Sequence, residues 1–321
     1  EVEAFVTLDA RGGLMLIDRY NRPVKGLRIS VTRKCNLKCI YCHMEGDPKP
    51  SRGDELSLDG IVKVVKAAAQ LGLTDIKITG GEPLLRPDIV GIIEEVAKVP
   101  GIAEVSLTSN GTLLERYASK LKEAGLTRVN VNLCSLKPEV YRFVTGRDMV
   151  NDVVRGIDAA VKSGLTPVKV NMVVLKGVNV EEIPDMIRFA KNHNVTLQLI
   201  ELEDMGKASS FFHKYYVDLS PVEEQLKNIS THFTFRAMHR RLKLLLKEGV
   251  VVEVVRPHHN SAFCLNCHRL RMTADGRLKP CLMRDDNYVD LSGLLRSASG
   301  VEGLKEQILK AVALREPYYK P

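Results

Sequence analysis

Leu27-Arg28-Ile29-Ser30-Val31-Thr32 runs directly into Arg33-Lys34-Cys35-Asn36-Leu37-Lys38-Cys39-Ile40-Tyr41-Cys42, a β-type stretch that empties into a cysteine-rich loop. Three thiols at an x3-then-x2 spacing can wrap a small metal centre from one loop. A full [4Fe–4S] ligand set takes four thiolates, so three leave one iron open to an outside ligand. Zinc completed by His43 is the competing reading, although this spacing is not a common zinc-finger pattern.

Working outward, the chain alternates β-type runs with amphipathic stretches from about Gly26 to Leu202. The strands are expected at Leu27–Thr32, Asp75–Thr79, Ala103–Thr108, Arg128–Leu133, Val168–Leu175 and Thr196–Leu202. Helices are expected at Leu58–Leu71, Ile89–Val99, Leu113–Ala124, Val153–Lys162 and Glu181–His193, with Ser57 placed to cap the first. Repeated βα units imply a parallel sheet with helices outside. Charges inside these strands (Lys77, Arg128, Lys169, Glu201) are explained by a polar row on the inner wall of a barrel, with solvation at the strand ends as the plainer account. The expected fold is α/β, a partial (βα)6 TIM-like barrel over residues 1–203, with sites at the C-terminal strand ends.

Residues 204–321 read as an extension. Ser209–Tyr216 is aromatic and irregular, and the basic stretch from His239-Arg240-Arg241 to Lys247 reads as a solvated helix face. Val250–Val255 is a strand, Arg269–Thr273 and Arg277–Cys281 form a hairpin around Ala274-Asp275-Gly276, and Gly303–Leu314 is a closing helix. The hairpin gathers a second triad, Cys264-x2-Cys267-x13-Cys281. Alone, this triad fits zinc with His258, His259 or His268 as well as it fits iron and sulfur. The seventh cysteine, Cys134, reads as a small buried hydrophobe.

Composition narrows the classes. The 321 residues are 45% hydrophobic and 27% charged, a globular balance. No run of about 18 apolar residues suggests a membrane span, and Glu1–Ala10 lacks signal-peptide character, so a cytoplasmic protein is expected. The net charge of +8 calls for an anionic partner, while 5% aromatics without Trp weakens a base-stacking nucleic-acid role.

The first triad, with Tyr41 just before its last cysteine, resembles the signature of the radical S-adenosylmethionine superfamily. Thr79-Gly80-Gly81-Glu82-Pro83 is similar to that superfamily's loop for the methionine amino group. Thr108-Ser109-Asn110-Gly111 resembles its carboxylate and ribose segment. The resemblance implies that Cys35, Cys39 and Cys42 hold a catalytic [4Fe–4S] cluster. It also implies that Tyr41, Gly81, Glu82, Thr108 and Asn132 meet S-adenosylmethionine.

The stretches Phe263–Gly276, Leu27–Thr32, Val168–Val174 and Lys176–Asn179 resemble, more narrowly, the GTP 3′,8-cyclase family of molybdenum-cofactor biosynthesis. That likeness implies a second [4Fe–4S] cluster on Cys264, Cys267 and Cys281 whose open iron holds the purine. It implies GTP contacts at Arg28, Lys77, Lys169, Arg269 and Arg271. The reaction implied is hydrogen abstraction from the ribose C3′ and closure of C3′ onto guanine C8. Cyclic pyranopterin monophosphate synthase would act next, and a reductant protein would supply electrons. No nucleic-acid or membrane partner is expected, and the oligomeric state stays open, a homodimer included.

Some positions depart from the family pattern. Asp75-Ile76-Lys77 replaces a Lys-x-Arg pair, Gln198 an Arg, and Asn132-Leu133-Cys134 a Ser-Leu-Asp run. The chain ends Tyr318-Tyr319-Lys320-Pro321 in place of a Gly-Gly tail. A peptide-modifying radical enzyme and a zinc-bearing nucleic-acid module are the alternative classes.

Overall fold

The computed structural model describes residues 5–8, 12–46, 55–296 and 300–320. Most of the Glu1–Ala10 stretch weighed as a leader lies outside them. The N-terminus forms a small antiparallel sheet of β1 (Phe5–Leu8), β2 (Leu14–Ile17) and β3 (Pro23–Val24). The barrel follows as β4 (Gly26–Ser30), α1 (Leu58–Gln70), β5 (Asp75–Thr79), α2 (Ile89–Ala97), β6 (Glu104–Ser109) and α3 (Leu114–Glu123). It continues with β7 (Arg128–Asn132), α4 (Pro138–Thr145), α5 (Val150–Lys162), β8 (Lys169–Val174), α6 (Ile183–Asn192) and β9 (Thr196–Glu201). These strands fall within two residues of the sequence expectation at each end.

Period two within each strand builds the two faces of the sheet. Ile76 and Ile78, Val129 and Val131, Val170 and Met172, Leu197 and Leu199 are all buried in the core under the helices. The intervening Lys77, Asn130, Asn132, Asn171 and Gln198 face a central cavity. The helices present matching apolar stripes. In α1, Ile61, Val62, Val65 and Ala68 are buried, and the Ser57 hydroxyl accepts from the Gly60 amide at 3.1 Å, so the expected cap is present.

The extension adds α7 (Phe212–Tyr215), α8 (Ser220–Ile229), β10 (Ser230–Phe235), β11 (Leu242–Leu246), β12 (Val251–Val255) and α9 (Ser261–Leu265). It ends with β13 (Arg269–Met272), β14 (Arg277–Lys279), β15 (Val289–Asp290), α10 (Ser292–Arg296) and α11 (Val301–Ala313). The large sheet runs β10-β11-β12-β9-β8-β7-β6-β5-β4-β13-β14-β15. From β12 to β13 every neighbouring pair is parallel. The extension thus lengthens the barrel wall at both edges, and among the described residues its outermost strands do not pair with each other.

One expectation is corrected. The basic stretch His239–Lys247 is not a helix face: a turn at Met238–Arg240 leads into β11, where Leu242, Leu244 and Leu246 are buried and Lys243 and Leu245 exposed. That alternation suits a strand paired antiparallel to β12, and tertiary pairing decides it.

Candidate active site

The first triad sits on the loop after β4, pinned from two sides. From α4, the carbonyls of Val144 and Thr145 accept from the Ile40 and Lys38 amides at 2.9 and 2.8 Å. From the loop after β5, the Gly81 and Glu82 amides donate to the carbonyls of Thr32 and Lys34, both at 2.7 Å. Only glycine permits that approach, because a Cβ on Gly81 would stand 2.2 Å from the Lys34 carbonyl oxygen. The Glu82 carboxyl does not line the cavity. It is fully buried and accepts from the Ser109 hydroxyl and the Asn110 and Leu84 amides, which ties this loop to β6. Burial pushes it up to about 7, against those three donors.

Burial pushes the Cys39 thiol up to about 12, and the neighbouring Cys42 and Cys35 push in the same direction. The three sulfurs are therefore electrostatic neighbours. Asn110 orients the loop, donating to Asn36 Oδ1 at 2.7 Å and to Cys35 Sγ at 3.9 Å.

The second triad is held by cations. Arg22 donates to the Cys264 carbonyl at 2.9 Å and Arg315 to the Cys267 carbonyl. Asp18 joins them, its Oδ2 lying 2.8 Å from each guanidinium. Burial alone would raise the Cys267 thiol, but Arg315, Arg269 and Arg22 bring it below its ordinary value.

All six cysteines line one cavity of about 300 Å³ at the C-terminal ends of the barrel strands. None is in a disulfide. Among the described residues no three Cys, His, Asp or Glu side chains converge as ligands of a single metal ion would. His258, a zinc candidate, instead packs among the rings of Phe212, Tyr216 and Tyr319. In each triad three free thiols stand in mutual electrostatic reach, a donor set that fits a cubane with one thiolate on each of three irons.

Polar side chains form the floor. Lys77 Nζ donates to Asn130 Oδ1 at 3.0 Å, Asn130 Nδ2 to Gln198 Oε1 at 3.0 Å, and Gln198 Nε2 to Glu253 Oε2. Across β4 and β13, Glu45 accepts from Arg28 at 2.7 Å and from Arg271 at 3.1 Å.

Comparison with known proteins settles the family. Residues 29–190 match the Radical SAM superfamily and residues 195–321 match Molybdenum Cofactor Synthesis C. A probable GTP 3′,8-cyclase of Pyrococcus abyssi is 46% identical over 310 residues, 95% of this chain and 100% of that protein. One of Archaeoglobus fulgidus is 45% identical over 95% of this chain and all of its own length. The chain belongs to the GTP 3′,8-cyclase family. Its fold is also that of SuiB from Streptococcus suis bound to S-adenosylmethionine, at a TM-score of 0.66 and 14% identity, over 89% of this chain and 69% of that one. Native anSMEcpe with bound AdoMet matches at 0.55 and 18%, over 89% and 82%.

Of the residues carried over from the two resemblances, the superfamily's and the GTP 3′,8-cyclase family's, most meet around the cavity. Both triads, Tyr41, Gly81, Thr108, Asn132, Arg28, Lys77, Arg269 and Arg271 line it. Glu82 and Lys169 do not. Lys169 lies one inward position deeper than Asn171 and forms a buried ion pair with Glu253. Sequence reasoning missed Glu45, His239 and Arg241, which line the cavity as well. Glu45 stands three residues past Cys42, and that proximity was the one available signal. His239 and Arg241 were hidden in a run taken for solvated charge.

Proposed function

We propose that this chain is a radical S-adenosylmethionine GTP 3′,8-cyclase that converts GTP to 3′,8-cyclo-7,8-dihydro-GTP. The observation that carries the reading is the opening of two three-cysteine triads onto a single cation-lined cavity. Cys35, Cys39 and Cys42 would hold the cluster that receives S-adenosylmethionine, and Cys264, Cys267 and Cys281 the cluster that receives the purine. When bound, the first cluster and S-adenosylmethionine supply a 5′-deoxyadenosyl radical that takes hydrogen from the ribose C3′.

The chain's own residues bind, orient and exclude water. Thr108, Asn132 and the Gly81 backbone flank the first triad, where S-adenosylmethionine would lie. Arg269 and Arg271 project from β13 beside the second triad, and with Arg28 and Lys77 they present cationic groups to a triphosphate. On this reading residues 1–203 form the radical-generating partial barrel and 204–321 carry the second cluster. The enzyme would work in the cytoplasm, draw electrons from a reductant protein, and pass its product to cyclic pyranopterin monophosphate synthase.

Anaerobic reconstitution tests this. The expected result is about eight irons per chain and 5′-deoxyadenosine release that depends on GTP, with deuterium transferred from C3′-deuterated GTP. Zinc uptake alone, or deoxyadenosine free of that deuterium, refutes the proposal.

A further inference from the structure

Outside the cavity, the rim of the barrel beside the first triad carries an apolar centre among cations. α4 touches the triad loop through the Lys38 and Ile40 amides, and it turns Phe143 outward, 53% exposed. The Phe143 ring meets Tyr215 of α7 edge-on, with centres 6.5 Å apart. Lys214 Nζ stands 5.0 Å from the centre of the Tyr215 ring, and the Tyr215 carbonyl accepts from the Lys176 amide at 2.8 Å. The triad loop, α4, α7 and the turn after β8 therefore share one continuous face.

Five exposed cations belong to these elements: Lys38, Arg142, Arg147, Lys176 and Lys214. Among the described residues none of the five has an ion-pair partner. On the outer helices the habit is different, since Lys63 pairs with Asp59, Lys98 with Glu94 and Arg155 with Glu115. The exposed acids closest in the chain, Glu139 and Asp148, are two against these five. A hydrated surface cation needs no partner for stability, so the cluster acts through its field, which attracts an acidic surface. An exposed aromatic within a polar surround is also how protein interfaces place their anchors.

The position says which acidic partner fits. On the reading above, the cavity side of the loop is taken by S-adenosylmethionine and the nucleotide. An electron must then enter from the outer side, where Lys38 lies between Cys35 and Cys39 and α4 holds the backbone after Cys39.

We propose that this face docks the electron donor, an acidic one-electron carrier protein, with Phe143 at its centre. One electron leaves the carrier, which is oxidised, and takes the first cluster from its 2+ to its 1+ state; no bond breaks and no proton moves. This rests on the reading of the first triad as a cluster. The test is reduction of the reconstituted enzyme by a reduced flavodoxin, and separately by dithionite, read by rapid-freeze EPR of the signal that S-adenosylmethionine perturbs. At low salt, Arg142→Glu/Arg147→Glu should slow flavodoxin about 10- to 100-fold and flatten the salt dependence of the rate. Phe143→Ser should raise the half-saturating flavodoxin concentration about tenfold. Lys247→Glu, at an exposed cation after β11, should keep the wild-type rate, and dithionite should reduce every variant alike. An unchanged flavodoxin rate in the double variant, or equal slowing with dithionite, overturns the proposal. Self-association in sedimentation that Phe143→Ser abolishes would give the face to a second copy and also overturn it. A wild-type enzyme with no dithionite-reducible signal that S-adenosylmethionine perturbs removes the cluster reading itself.

Discussion

Between Arg28 and Arg271 stands one carboxylate, Glu45, which also accepts from the Thr79 hydroxyl at 2.9 Å. Burial works to raise its pKa, but Arg28, Arg271 and His43 outweigh burial and hold it down at about 2. A carboxyl depressed on folding adds stability above its ordinary value of 4.5, and that stability is lost as pH falls toward about 2. Glu45 is thus the resident counter-ion of Arg28 and Arg271, two of the cations proposed for the triphosphate. Glu45→Gln should remove the competition, so that inorganic triphosphate binds about tenfold tighter by calorimetry. It should also flatten the acid limb of urea stability over that pH window. Weaker triphosphate binding would show that Glu45 positions the arginines more than it blocks them. The sequence could not disclose this role, because the Arg271 contact spans 226 positions. The cysteine triads were legible for the opposite reason: a metal loop needs its ligands close together in the chain.

At the scale of elements, the second triad is fastened by parts from both ends of the chain. Asp18 and Arg22 flank the turn between β2 and β3, and Arg315 follows α11, yet the three form one ion cluster against the Cys264 and Cys267 carbonyls. Arg315 is fully buried and Asp18 nearly so. Asp18→Asn should leave two guanidiniums without their counter-charge and cost about 3–5 kcal/mol in urea unfolding. Because those guanidiniums hold the cysteine backbone, the variant should also release iron from the second triad before the first. Loss of stability with both iron sites equally retained would mean that the cluster serves the fold alone. The barrel strands and helices were readable because their apolar spacing follows period two or 3.6. α4 and α8 were not anticipated; β10 was missed and β11 misread, since the stretch from Ser230 to Lys247 mixes charge with apolar residues and gains its strand character from pairing, β10 with β11 and β11 with β12.

At the scale of the molecule, the parallel run of strands gathers both triads at one end, so two loops 222 positions apart, as Cys42 to Cys264, share a chamber. The net charge of +8 takes on meaning there, since Arg22, Arg28, Lys77, Arg241, Arg269 and Arg271 all border it. Placement in one cavity would also follow if the second triad were a structural staple, and a pair of variants separates the cases. Cys35→Ala leaves two thiols at the first loop, too few to hold a cluster with one open iron. Cys281→Ala does the same at the hairpin, without touching the loop pinned by α4 and Gly81. Each variant should lose about four irons per chain, half the complement of two cubanes. They should differ in chemistry: Cys35→Ala should not cleave S-adenosylmethionine, whereas Cys281→Ala should still cleave it under strong reductant but no longer couple cleavage to GTP. A Cys281→Ala enzyme that folds, binds GTP as tightly as wild type and cyclises it would make the second triad structural, because an iron centre that holds the purine cannot be removed without weakening the nucleotide's grip.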